Sequence, residues 1–149
     1  MVSSITDGRI REMDVLSMLV NRDVVTIEHT KTLREAARIM RDKRIGSLIV
    51  VKDKKKAGIL SETDVSRRAV AEGLIPDQVT VETIMSQPII SLDIHSTPET
   101  ANDLMKDKGI RHLAVTERGE IVGIISVRDL LHYFKVYYGG IGTLKKKRN

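Results

Sequence analysis

Shifted by 65 residues, the chain registers on itself without a gap, and no other feature constrains its fold as strongly. Arg38-Ile39-Met40-Arg41-Asp42-Lys43 falls on Asp103-Leu104-Met105-Lys106-Asp107-Lys108. Ser47-Leu48-Ile49-Val50 falls on His112-Leu113-Ala114-Val115, and Gly58-Ile59-Leu60-Ser61 on Gly123-Ile124-Ile125-Ser126. Thr32, Ala36, Ile45 and Asp64 meet identical residues at Thr97, Ala101, Ile110 and Asp129. Residues 15–70 and 80–135 share 12 identities, and most other apolar positions match in kind. The chain is a duplicated unit.

Each copy carries the same local signals. A short extended piece, Val24–Ile27 or Ile89–Leu92, leads to a helix start. Thr32-Leu33-Arg34-Glu35 has the capping-box pattern, and Thr97-Pro98 places proline at the first helical position. Apolar residues then recur at helical spacing through Leu33, Ala36, Ile39 and Met40, and through Ala101, Leu104 and Met105. Two strands follow, Ser47–Val51 and Ala57–Leu60, then His112–Thr116 and Ile121–Ile125, joined by polar turns. A second helix starts after Ser61 and again after Ser126. The pattern predicts an α/β (α+β) fold of two β-α-β-β-α repeats packed as a pseudo-twofold pair. The expected boundaries are 12–71 and 78–137, with Glu72–Gln78 as linker and 139–149 as a flexible basic tail.

Composition narrows the function. The chain has no cysteine, which excludes disulfides, thiolate metal sites and cysteine nucleophiles. His29, His95, His112 and His132 are scattered, so no metal site is expected. No apolar run approaches a membrane span and the first residues do not read as a signal, so the expected location is cytoplasmic. Net charge is +5, but Lys145, Lys146, Lys147 and Arg148 carry four of those charges; the rest of the chain has 21 basic and 20 acidic side chains. That balance, with Tyr133, Phe134, Tyr137 and Tyr138 as its whole aromatic set, offers no broad nucleic-acid surface. The four aromatics read as packing residues of the last helix.

The chemistry concentrates at the strand-to-helix junction, Gly58-Ile-Leu-Ser61-Glu-Thr63-Asp64 and Gly123-Ile-Ile-Ser126-Val-Arg128-Asp129. Free backbone N–H groups and the positive end of the helix dipole suit a phosphate there. A serine hydroxyl can donate to a phosphate oxygen, and an aspartate can accept from two ribose hydroxyls. The glycine allows close backbone approach. The same pattern is also a plain helix cap, and duplicated helices need duplicated caps.

The doubled unit resembles a tandem pair of cystathionine-β-synthase (CBS) domains, the Bateman module, over about residues 12–136. Both copies match that family's pattern of glycine, two apolar residues, serine or threonine, two variable residues and aspartate. The resemblance implies clefts between the halves that take adenosine compounds such as AMP, ADP, ATP or S-adenosylmethionine as regulatory ligands, with no other cofactor. It assigns Ser61 and Asp64 to one cleft, Ser126 and Asp129 to the other. Arg128 in the second motif and Arg111-His112 at the preceding strand make that cleft the better phosphate site. The first has Glu62-Thr63 and Gly46-Ser47 at those places. Adenine would lie against Thr26, Ile27, Ile45 and Gly46 of the opposite half. The resemblance also implies a homodimer, and a regulatory protein without catalytic residues that reports to an effector protein. Three rivals stand beside this reading: an enzyme acting on the nucleotide, binding of protein or nucleic acid through the basic tail, and a structural dimer with empty clefts.

Overall fold

The structure, a computed structural model, describes residues 15–146, and the side chains of residues 15–139. Its chain forms two compact units. One is Asp23–Ile90; the other joins the described residues before Asp23 to those from Ser91 onward.

In the Asp23–Ile90 unit, β1 (Thr26–Glu28) lies parallel to β2 (Ser47–Lys52), which pairs antiparallel with β3 (Lys55–Ser61). Helix α1 (Leu33–Lys43) connects β1 to β2. Thr32 and Glu35 form the expected reciprocal cap, and Leu33, Ala36 and Met40 form the buried stripe of α1. After β3 comes α2 (Glu62–Asp64), which passes directly into a π-helical turn, Val65–Val70. A one-turn helix, α3 (Val81–Ile84), completes the unit. Its core joins Ile27, Leu48, Val50 and Leu60 of the sheet to α1, Ala69, and Val81, Ile84 and Met85.

The other unit repeats this plan with β4 (Ser91–Asp93), α4 (Pro98–Lys108), β5 (His112–Glu117), β6 (Glu120–Ser126) and α5 (Val127–Lys146). Strand order β4-β5-β6 and its registers match those of the first sheet, including a bulge at Val115/Thr116 where the first has one at Val50/Val51. Helix α5 differs from its counterpart. It stays regular and continues through Gly139 and Gly140 to Lys146, so residues 139–146 of the expected flexible tail are helical. Residues 147–149, the end of the expected tail, lie outside the described residues.

Each unit is finished by a segment from just before the other copy's first strand. Leu16 N donates to Ser96 O and Ser17 N to Ile94 O, while Asn21 and Ile124 exchange both backbone bonds. The pairs 65 residues away do the same in the other unit: Val81 with Lys31 O, Glu82 with His29 O, and Ser86 with Ile59. Leu16 and Val81 are both fully buried, each worth about 1.5–3 kcal/mol of apolar burial. Through this exchange the compact units divide at Asp23 and Ile90. In the Asp23–Ile90 unit it is also clamped by charge. Glu82 on α3 bonds Lys52 and, at 2.9 Å, His29 Nδ1. Lys52 first, then His29, holds the Glu82 carboxyl below its ordinary value.

Both hairpins turn through two residues with left-handed backbone, Asp53-Lys54 (φ 51° and 61°) and Arg118-Gly119 (φ 52° and 80°). Such turns match the strand twist, and glycine adopts them without the Cβ penalty. Lys54→Gly, which copies the second hairpin, is expected to raise stability by about 0.5–1 kcal/mol, read from the urea midpoint.

Candidate functional site

Where β3 and β6 end, their serines cap the helices that follow. Ser126 Oγ accepts from Asp129 N at 3.2 Å and donates to Asp129 Oδ2 at 2.9 Å, while Ser126 N donates to the same oxygen at 2.8 Å. Ser61 and Asp64 make the same three bonds, in the same order, at 3.2, 3.1 and 2.9 Å. Each serine hydroxyl and one oxygen of each aspartate therefore bond one another. The helix-cap reading describes both junctions as they stand.

The two aspartates differ in their second oxygen. Asp64 Oδ1 accepts from Ser86 Oγ at 2.8 Å and lies 3.9 Å from the Arg68 guanidinium. Arg68 also donates to the Met85 carbonyl at 3.0 Å. Asp64 is 7% exposed, the one buried charged side chain among the described residues. Asp129 is half-buried, and among the described residues no hydrogen bond reaches its Oδ1. Ser86 and Arg68 carry no motif signal, and their counterparts under the 65-residue shift are Asn21 and Tyr133.

The second junction gathers five expected residues. His112 pairs across the ladder with Ser126, and Val127 N donates to Arg111 O at 2.9 Å, which sets Arg111 beside the start of α5. Arg111 and Arg128 are both exposed there, at the N-terminus of a 20-residue helix. The first junction gathers Ile45, Gly46, Ser61, Thr63 and Asp64; Glu62 N donates to Gly46 O at 3.0 Å. Thr26 and Ile27 lie on β1 of that same unit. Thr26 faces outward, whereas Ile27 is 6% exposed and belongs to the unit's core.

The motif glycines serve the chain itself. A Cβ on Gly123 would sit 2.2 Å from Val20 Cγ2 and 2.6 Å from Asn21 O. One on Gly58 would meet Met85 Sδ at 2.5 Å and Ser86 O at 3.0 Å. The exchanged segments fill the space beside each glycine, so the close approach expected there is by backbone from the other copy.

Among the described residues, no group of three or more His, Asp and Glu side chains could hold a metal ion, and no helix is long and apolar enough to cross a membrane. Of the four aromatics, Tyr133 is buried as expected and Tyr137 half-buried, but Phe134 and Tyr138 line an open groove against α4.

Comparison with known proteins agrees with this duplicated architecture. The family model for the CBS domain matches twice, at residues 13–71 and 81–136. An uncharacterized protein of Methanopyrus kandleri is 38% identical over 115 residues, 76% of this chain and 59% of its own length. A CBS domain-containing protein of Bacillus subtilis is 31% identical over 107 residues, 72% of this chain and 76% of its own. Among solved structures, a hexameric CBS-CP12 protein from bloom-forming cyanobacteria superposes with a TM-score of 0.72 at 29% identity, covering 78% of this chain and 69% of that one. The chain spans little more than half of the Methanopyrus protein, yet the two matches take up most of its own length. It belongs to the CBS-domain family as a tandem pair of the Bateman-module kind, with a mixed α+β fold.

Proposed function

We propose that the chain is a regulatory module that binds an adenosine nucleotide of the AMP, ADP or ATP class, and that the junction at Ser126, Arg128 and Asp129, with Arg111 and His112, is its stronger site. The observation that carries this is the inequality of the two aspartates. Asp129 keeps a carboxylate oxygen available to a ribose hydroxyl, whereas Asp64 has both oxygens engaged by its own unit. Two exposed guanidinium groups and the positive end of α5 add phosphate-binding charge beside Asp129. The junction at Ser61, Thr63 and Asp64 is the weaker site. The module works as a homodimer and signals to an effector protein through different nucleotide affinities in two states, without turning the nucleotide over.

Thermal unfolding with AMP, ADP, ATP and S-adenosylmethionine tests the reading. At 100 times its dissociation constant, a bound ligand adds about 2.7 kcal/mol to the native state. The expected result is a stabilisation lost in Asp129→Ala and kept in Asp64→Ala. The reverse pattern would move the site to the first junction. No response to any adenosine compound, in protein free of carried-over ligand, would overturn the function.

A further inference from the structure

The π-helical turn at Val65–Val70 stands where the other unit has a regular α-helix, and it borders a groove that neither serine–aspartate junction uses. Ala71 N donates to Ser66 O and Leu74 N to Ala69 O, both at 3.0 Å, so each bond spans five residues instead of four. Single turns of this kind are rare and frequently mark functional sites. Their repeat brings residues five apart toward one face, where an α-helix would set them about 140° apart. Arg67 and Glu72 are such a pair. They line one groove of about 340 Å³ with Arg68, Leu74 and, from α3, Thr83 and Ile84.

Opposite charges border this space without meeting. Among the described residues neither Arg67 nor Glu72 has an ion pair. Arg68 is held in place: its guanidinium donates to the Met85 carbonyl at 3.0 Å and lies 3.9 Å from Asp64 Oδ1, and half of its side chain remains exposed. Leu74 and Ile84 supply apolar wall. The second copy fills the matching place differently. Under the 65-residue shift Tyr133 falls on Arg68 and Tyr137 on Glu72, and those two rings pack at 4.6 Å between centroids. In the first copy the buried residue of the turn is Ala69, so a groove stands where the second copy has rings. An occupant that matches it carries a carboxylate for the guanidinium groups, a cation for Glu72 and an apolar group for Leu74 and Ile84. An α-amino acid carries all three on one carbon. Inorganic phosphate would answer only the arginines, and a nucleotide would set its phosphates against Glu72.

We propose that this groove binds a free α-amino acid with an aromatic side chain, its carboxylate on Arg67 and Arg68, its ammonium on Glu72, and its ring over Leu74 and Ile84. The site shares no residue with either junction and does not rest on nucleotide binding, so its test uses no nucleotide.

Calorimetric titration of the full chain with L-phenylalanine tests this, beside two analogues that each lack one charge. 3-Phenylpropanoate keeps the carboxylate without the ammonium; 2-phenylethylamine does the reverse. L-Phenylalanine is expected to bind at least about tenfold more tightly than either. Arg67→Gln, at an exposed position, is expected to weaken L-phenylalanine and 3-phenylpropanoate alike, about tenfold, with the melting temperature kept. Glu72→Gln is expected to weaken L-phenylalanine about tenfold and to leave 3-phenylpropanoate as it was, a split that general damage to the groove does not produce. No binding of L-phenylalanine at millimolar concentration, binding unchanged in Arg67→Gln, equal losses for both ligands in Glu72→Gln, or inorganic phosphate held more tightly than the amino acid would each overturn the proposal. A failed nucleotide titration would leave it standing.

Discussion

Gly123→Ala is expected to destabilise the protein by about 2–3 kcal/mol, and Gly58→Ala by about 1 kcal/mol. The added methyl of Gly123→Ala meets Val20 Cγ2 at 2.2 Å and the Asn21 carbonyl oxygen at 2.6 Å. The methyl of valine can rotate away; the carbonyl cannot. Asn21 is held by two backbone bonds to Ile124, the residue after Gly123, so relief requires opening that bridge. At Gly58 the closest atom is the thioether of Met85, which is unbranched and can yield, and Ser86 O stands off at 3.0 Å. Alanine also restricts the unfolded chain relative to glycine, which offsets part of each loss. In a chain of this length the difference corresponds to a melting shift of roughly 6–9 °C against about 3 °C. Equal shifts would show that the glycines do not act through the exchanged segments.

Asp64→Ala is expected to cost about 3 kcal/mol, while Asp129→Ala costs about 1 kcal/mol. Both lose a reciprocal cap. Asp64→Ala also leaves Ser86 Oγ without its 2.8 Å acceptor, removes the counter-charge of Arg68, and empties a site that is 7% exposed. Arg68 is half-exposed, so water screens its loss, and the unmet hydroxyl contributes more. Asp129 is half-buried with bonds only inside its cap, which water can replace. Paired denaturant titrations of the two variants measure this. The order is opposite to the one expected for nucleotide binding, where Asp129 carries the response. A single variant that loses both stability and response would not separate the roles; the crossing of the two does. Equal costs would show that the Ser86 bond adds nothing to Asp64.

Much of this architecture was legible because it rests on neighbours in sequence. The Thr32–Glu35 cap, the proline at the start of α4 and the serine–aspartate caps are set within one helical turn, so spacing alone reveals them. The strands and hairpins follow from runs of β-branched residues around polar turns. The glycine stretch after Tyr138 misled for the same reason. Glycine lowers helix propensity by about 1 kcal/mol per residue, which reads as a break, yet α5 continues through it to Lys146. Aromatic residues on one helix read alike as core, although only Tyr133 is fully enclosed.

By itself the sequence determined that there are two copies of one unit, what elements each contains, and where a serine and an aspartate meet at a helix start. Repetition also limited what it could say. A segment such as Leu16–Val20 is complementary to the sheet of either copy, because the two sheets present matching residues, and periodicity cannot choose between them. Only the tertiary structure decided that residues 15–22 complete the unit of the second copy and Val81–Ser86 that of the first. From that choice came the use of Gly58 and Gly123 as crossing points, and the Ser86 hydroxyl on Asp64. The two aspartates are equal in motif and unequal in surroundings because the second oxygen of Asp64 meets a partner far along the chain, while among the described residues that of Asp129 meets none. The partner of Asp64 lies 22 residues away, on a segment that packing rather than local preference puts in place.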